Sequence, residues 1–130
     1  MANEISVTSA LTYTNTANGI AATTLQIGGA SNNALFNISG KNFVYATKSF
    51  TTGAGGTAIP LGAVGTLGWV AIKNNDAANY IQVLTAVSGT VFLRINAGEM
   101  ASFRFDQGVT APAILANTAS VLTEYMILEN

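Results

Sequence analysis

LGWVAIKNNDAANYIQV, residues 67–83, is the stretch that decides the fold. Its first seven residues are rich in β-formers, and NNDAAN over 74–79 is a polar turn. YIQVLT over 80–85 is expected to pair back as the next strand. Working outward, the same period of two recurs, which marks half-buried strands rather than helices. Near the start, Ile5, Val7, Leu11 and Tyr13 fall on one parity, Asn18-Gly19 supplies a favoured hairpin pair, and 20–27 returns. After a loop over 28–33, runs at 35–38 and 42–51 flank Ser39-Gly40-Lys41, another hairpin signal. Residues 52–57, TGAGGT, read as a flexible loop. Residues 58–61 carry Pro60, so they form an edge strand or a connection. Beyond residue 83, Ser88-Gly89-Thr90 turns the chain into 91–95, and NAGEM joins that run to 101–105. Gly98 is the expected positive-φ residue of that link. Residues 109–116 contain Pro112 and read as loop or edge, with a short helical turn around 113–116 as the competing reading. The run 121–128 is the final strand. This gives about eight to ten short antiparallel strands in an all-β sandwich or barrel, one domain over 1–130. The hairpin over about 5–27 is a candidate arm.

Composition narrows the function. Only 8% of the 130 residues are charged, against 49% hydrophobic, and the net charge is -1. A soluble domain usually carries about a quarter charged residues. A surface this poor in charge is expected to meet copies of itself or a partner. The chain has no His and no Cys. That closes off imidazole acid–base work, thiol catalysis, disulfides and the usual zinc ligands. The five basic residues, Lys41, Lys48, Lys73, Arg94 and Arg104, are spread singly, so no cluster exists to neutralise a run of phosphates and direct nucleic-acid binding is not expected. Glu4 stands where a signal peptide would be positive, and 59–72 is too short and glycine-rich to span a bilayer. The expectation is a soluble protein with no membrane partner.

Several constellations have plainer readings beside the chemical ones. Glu99 and Asp106 flank one strand and form a conceivable carboxylate pair, but acids are ordinary in turns at strand ends. Asn74, Asn75, Asp76 and Asn79 offer oxygens to calcium, yet with one carboxylate a polar turn is the better reading. The glycines at 28–29 and 53–56 lack the lysine and helix of a phosphate cradle. No catalytic, cofactor or metal residues are assigned, and the chain is read as a non-enzyme. Phe43, Tyr45, Trp69, Tyr80, Phe92, Phe103, Phe105 and Tyr125 lie at strand spacing, which reads as core for most. Trp69 and Tyr80, on either side of one expected hairpin, are the alternative sugar-stacking pair. Arg94 and Arg104, central in adjacent expected strands and flanked by apolar residues, are candidate interface residues, with Asn18 and Gly19 at the tip of the arm.

The order LGWVAIKNNDAANYIQV, VFLRINAGEMASFRF, a Pro-containing connection and VLTEYMILEN resembles small structural proteins encoded in tailed-phage morphogenesis clusters. The opening MANEISVTSALTYTN is similar too. The resemblance implies a β-sandwich, often jelly-roll-like, that assembles as a homotrimer on a capsid or within a tail, with the capsid surface of a virion as the expected location after synthesis in the host cytoplasm. It implies a decoration (cement) role, in which the protein clamps neighbouring capsomers of the major capsid protein and needs no cofactor. A tail, neck or fibre-base component is the alternative, and a carbohydrate-binding or adhesion module a further one.

Overall fold

The computed structural model describes residues 42–118 and 120–130. The strands expected over 5–13, 20–27 and 35–38, the Asn18-Gly19 turn, the 28–33 loop and the 39–41 turn lie outside them. Among the described residues there are eight strands and no helix: β1 (Phe43–Phe50), β2 (Thr57–Ala58), β3 (Leu67–Asn74), β4 (Ile81–Leu84), β5 (Val91–Ile95), β6 (Met100–Arg104), β7 (Ala113–Ala116) and β8 (Val121–Glu129). They form two four-stranded sheets, ordered β1-β8-β3-β6 and β2-β7-β4-β5. Every pairing between these strands is antiparallel.

The pairing has a simple rule. β1 meets β8, β2 meets β7, β3 meets β6 and β4 meets β5. The chain therefore behaves as one long two-stranded ribbon. That ribbon is wound so that β3 also zips onto β8 and β4 onto β7. This is the double Greek-key winding of a jelly roll.

Alternation places the core. On β8, Val121, Thr123, Tyr125 and Ile127 face inward and are buried. Val70 and Ile72 stand opposite Ile127 and Tyr125 on β3. The second sheet answers with Ile81, Val83, Ile95, Ile114 and Ala116. Tyr125 is the largest fully buried side chain. It meets the Phe50 ring edge-on at 6.2 Å and donates its hydroxyl to the Pro60 carbonyl at 3.3 Å.

Three expectations need correction. The 74–79 turn does not fold 80–85 back onto 67–73, because β3 and β4 belong to different sheets. β3 is buried along nearly its whole length and already has β8 and β6 on its two sides, so no edge is left for β4. NNDAAN is instead a corner that carries the chain from one sheet to the other. Residues 113–116 are neither loop, edge nor helix. They form β7, which lies between β2 and β4, and its small residues suit a strand covered on both faces. The 52–57 segment is held rather than loose: Gly56 N–H donates to Gly53 O at 2.9 Å, and Ser88 N–H donates to Gly55 O at 2.8 Å. Gly55 has φ +81°, and a Cβ there would lie 2.8 Å from the Ser88 backbone nitrogen, so only glycine fits.

Other readings hold. The 58–61 run contributes only Ala58 to a strand, and β2 is an edge of its sheet with Pro60 outside the ladder. β4 and β5 form the hairpin expected around 88–90. Gly98 has φ +74°.

Candidate functional site

Outward parity on the first sheet brings Tyr45, Thr47 and Ser49 of β1 alongside Met126, Glu124 and Leu122 of β8. β3 continues the face with Ala71 and Lys73 beside Met126 and Glu124. Tyr45 is 44% exposed and Leu122 45%. The face holds few charges. Lys73 sits in register with Glu124, whose Oε1 accepts the Tyr45 hydroxyl at 2.6 Å. That hydrogen bond, with burial and the carboxylate's charge behind it, holds the Tyr45 phenol above its ordinary range. Ala71 and Met126 are fully buried, so the exposed part of this face is Tyr45, Thr47, Ser49 and Leu122, with Lys73 and Glu124 half-buried beside them.

The two arginines, expected in adjacent strands, lie instead on the edges of different sheets, because the chain crosses between layers from β5 to β6. Arg94 is on β5, at one edge of the second sheet, with its guanidinium carbon 3.7 Å from the Tyr80 ring centroid. Its Nε donates to Asn96 Oδ1 at 2.9 Å. Arg104 ends β6, at one edge of the first sheet, and its Nη2 donates to Asn130 Oδ1. Both are exposed. Asn18 and Gly19 lie outside the described residues.

The structure separates the remaining constellations. Trp69 is on β3 and Tyr80 just before β4, so the two rings belong to different sheets, and the Arg94 guanidinium stacks on the Tyr80 ring. Glu99 and Asp106 sit beyond opposite ends of β6, a five-residue strand of roughly 16 Å. The expectation that most of the strand-spaced aromatics are core is corrected. Phe105 and Tyr125 are buried, but Phe43, Tyr45 and Phe92 are exposed and Trp69, Tyr80 and Phe103 only half-buried. Phe43 and Tyr45 point away from the core because their parity on β1 is opposite to that of Phe50. Among the described residues no three acids gather where they could hold a metal.

Asp76 is engaged in its own corner. Its Oδ1 accepts the backbone N–H groups of Ala78 and Asn79, both at 2.8 Å, and the Asn79 amide at 3.1 Å. The two backbone donors are the main reason its carboxyl lies below the ordinary range. Glu99 is lowered in the same way, first by the Asn96 N–H at 2.8 Å, with Arg94 adding a smaller attraction.

The sign of the pH dependence follows. Both carboxyls bind protons less readily folded than unfolded, so their contribution is complete above the unfolded values. It is lost as the pH falls through the lowered, folded values. Thermal melts across the acid range should show stability declining there, and Asp76→Asn with Glu99→Gln should flatten that decline. An unchanged acid slope in the double variant would remove the two turns as its source.

Sequence reasoning missed Tyr45, Leu122 and Phe92 as exposed apolar residues. Alternation gives relative facing, but it does not say which face a second sheet will cover. In comparisons with known proteins, no family model and no curated sequence matches this chain.

Proposed function

We propose that this chain is a non-enzymatic virion structural protein. In this reading it is a capsid decoration (cement) protein that assembles as a homotrimer and binds the major capsid protein across neighbouring capsomers. The observation that carries the reading is the outer face of the first sheet, where Tyr45 and Leu122 are exposed and few charges stand among them. Such a face can meet another protein while stripping water from few ions, which is the costly step in burying charge. Repetition over a lattice multiplies weak contacts into firm attachment. The jelly-roll winding supplies a rigid platform for that face, and the low charge of the whole chain agrees with it.

The test is addition of purified protein to expanded empty capsids. Bound protein is expected to sediment with the shells and to raise the temperature at which they fall apart. Tyr45→Asp combined with Leu122→Asp should weaken that binding by at least about tenfold, or ~1.4 kcal/mol, with the fold retained. Failure to bind shells, together with incorporation into tails, would move the assignment to a tail, neck or fibre-base component. The carbohydrate-binding reading draws less support, since its two stacking rings lie in different sheets.

A further inference from the structure

We infer that the open side of the sandwich, between the edge strands β5 and β6, is a two-fold contact between two copies of this chain. The two sides of the sandwich differ in how their edges are defended. On the side of β1 and β2, Lys48 has inward parity on β1, with its ammonium 5.5 Å from the Phe50 ring centroid. β2 is only two residues long and is followed closely by Pro60. An inward charge, a short strand and a proline are the usual guards against edge-to-edge association. On the other side, the inward positions Leu93, Ala101 and Phe103 are all apolar.

That side is filled by aromatic rings. Phe92 is the extra residue where the β4–β5 register shifts, since Val83 pairs with Leu93 and Leu84 with Val91. Its ring reaches across the gap to Phe103 at 5.5 Å and Phe105 at 5.7 Å, and those two lie 5.1 Å apart, all edge-to-face. Phe105 is buried and Phe103 half-buried, while Phe92 is 45% exposed and its neighbour Val91 42%. The seam thus joins the core on one side and faces solvent on the other.

Charges at the two ends of the seam identify the occupant. One end carries Arg94 and Glu99, and the other carries Arg104 and Asp106. A two-fold axis across the middle of β6 exchanges the ends. It brings Arg104 of each copy to Glu99 of the other, and Asp106 to Arg94, around a centre of Phe92 and Phe103. An apolar aromatic centre with a charged rim is the usual anatomy of a protein interface. One self-complementary patch is what an isologous contact requires.

Light scattering of the concentrated full chain tests this contact. Wild-type protein is expected to have twice the mass of Arg104→Glu, six copies against three where the proposed trimer also forms and two against one where it does not, since Arg104→Glu sets like charges against Glu99 at both ends. Glu99→Lys combined with Arg104→Glu is expected to restore the wild-type mass. Phe92→Ser should halve the mass as well, and if that variant fails to fold, the charge pair still decides. A mass unaffected by Arg104→Glu, or not restored by the double exchange, overturns the contact. The capsid experiment is read separately. Shell binding with an unchanged mass ends this inference and leaves the decoration role, and the reverse pattern does the opposite.

Discussion

Tyr125→Ala is expected to lower the melting temperature by roughly 10–20 °C, the fall that a loss of ~3–5 kcal/mol produces in a domain of this size. The ring is fully buried at the centre of β8, with Ile72 opposite it and Phe50 edge-on. Removing it forfeits transfer energy and leaves a cavity between the two sheets. The hydroxyl contributes much less. Its bond to Pro60 O is 3.3 Å long, and burial without a strong partner holds the phenol above its ordinary range. Tyr125→Phe should therefore cost at most about 1 kcal/mol. Guanidinium titrations of both variants separate the two terms. Equal midpoints for them would show that the ring is not the packing element described.

Asn74→Leu, close in volume to the native side chain, should cost about 2–4 kcal/mol through hydrogen bonds rather than packing. Asn74 is fully buried at the end of β3. Its amide donates to Asn79 O at 2.7 Å and to Ile95 O at 3.2 Å, and its Oδ1 accepts the Asp76 N–H at 3.0 Å. The Ile95 bond reaches the end of β5 in the other sheet, so one side chain fastens the two layers where the chain crosses. Leucine leaves those backbone groups without this partner. Asn74→Asp should be more damaging at neutral pH than in mild acid, since only the protonated carboxyl can donate to a carbonyl. Melts at two pH values check the sign. An Asn74→Leu protein as stable as wild type would remove the corner from the account.

The strands were legible because their signals are local. The alternation in 42–51, 91–95 and 121–128 and the turn residues around 88–90 and 98 depend only on neighbours in sequence. Partnership was less legible. NNDAAN looks like a hairpin turn, yet it is a corner, because β3 needs both its edges for β8 and β6, which lie far along the chain. The strand at 113–116 was obscured by Pro112 and two alanines, which are poor β-formers alone but fit a buried place between β2 and β4. Glu129 carried no sequence signal at all. It binds the Asn42 N–H at 2.9 Å and the Gly65 N–H at 2.9 Å, and so ties the start of β1 to the β2–β3 connection. Spacing suggested adjacent strands for the two arginines, but their positions on edges of different sheets follow from the winding, which spacing does not encode.

The place of β8 between β1 and β3 bears on how this protein emerges from the ribosome. A chain made only as far as residue 120 has both flanking strands of the first sheet and no middle. β1 must then wait for partners such as Leu128, which is 85 positions downstream of Phe43. Vectorial folding from the N-terminal side is therefore poorly suited to this topology. Assembly is expected to be slow and nearly all-or-none, since remote pairings must close before they repay their loop entropy. Until Val121–Glu129 has been translated, β1 and β3 are open templates for any neighbouring nascent chain. Polysome crowding should therefore favour aggregation of prematurely terminated products far more than of the finished protein.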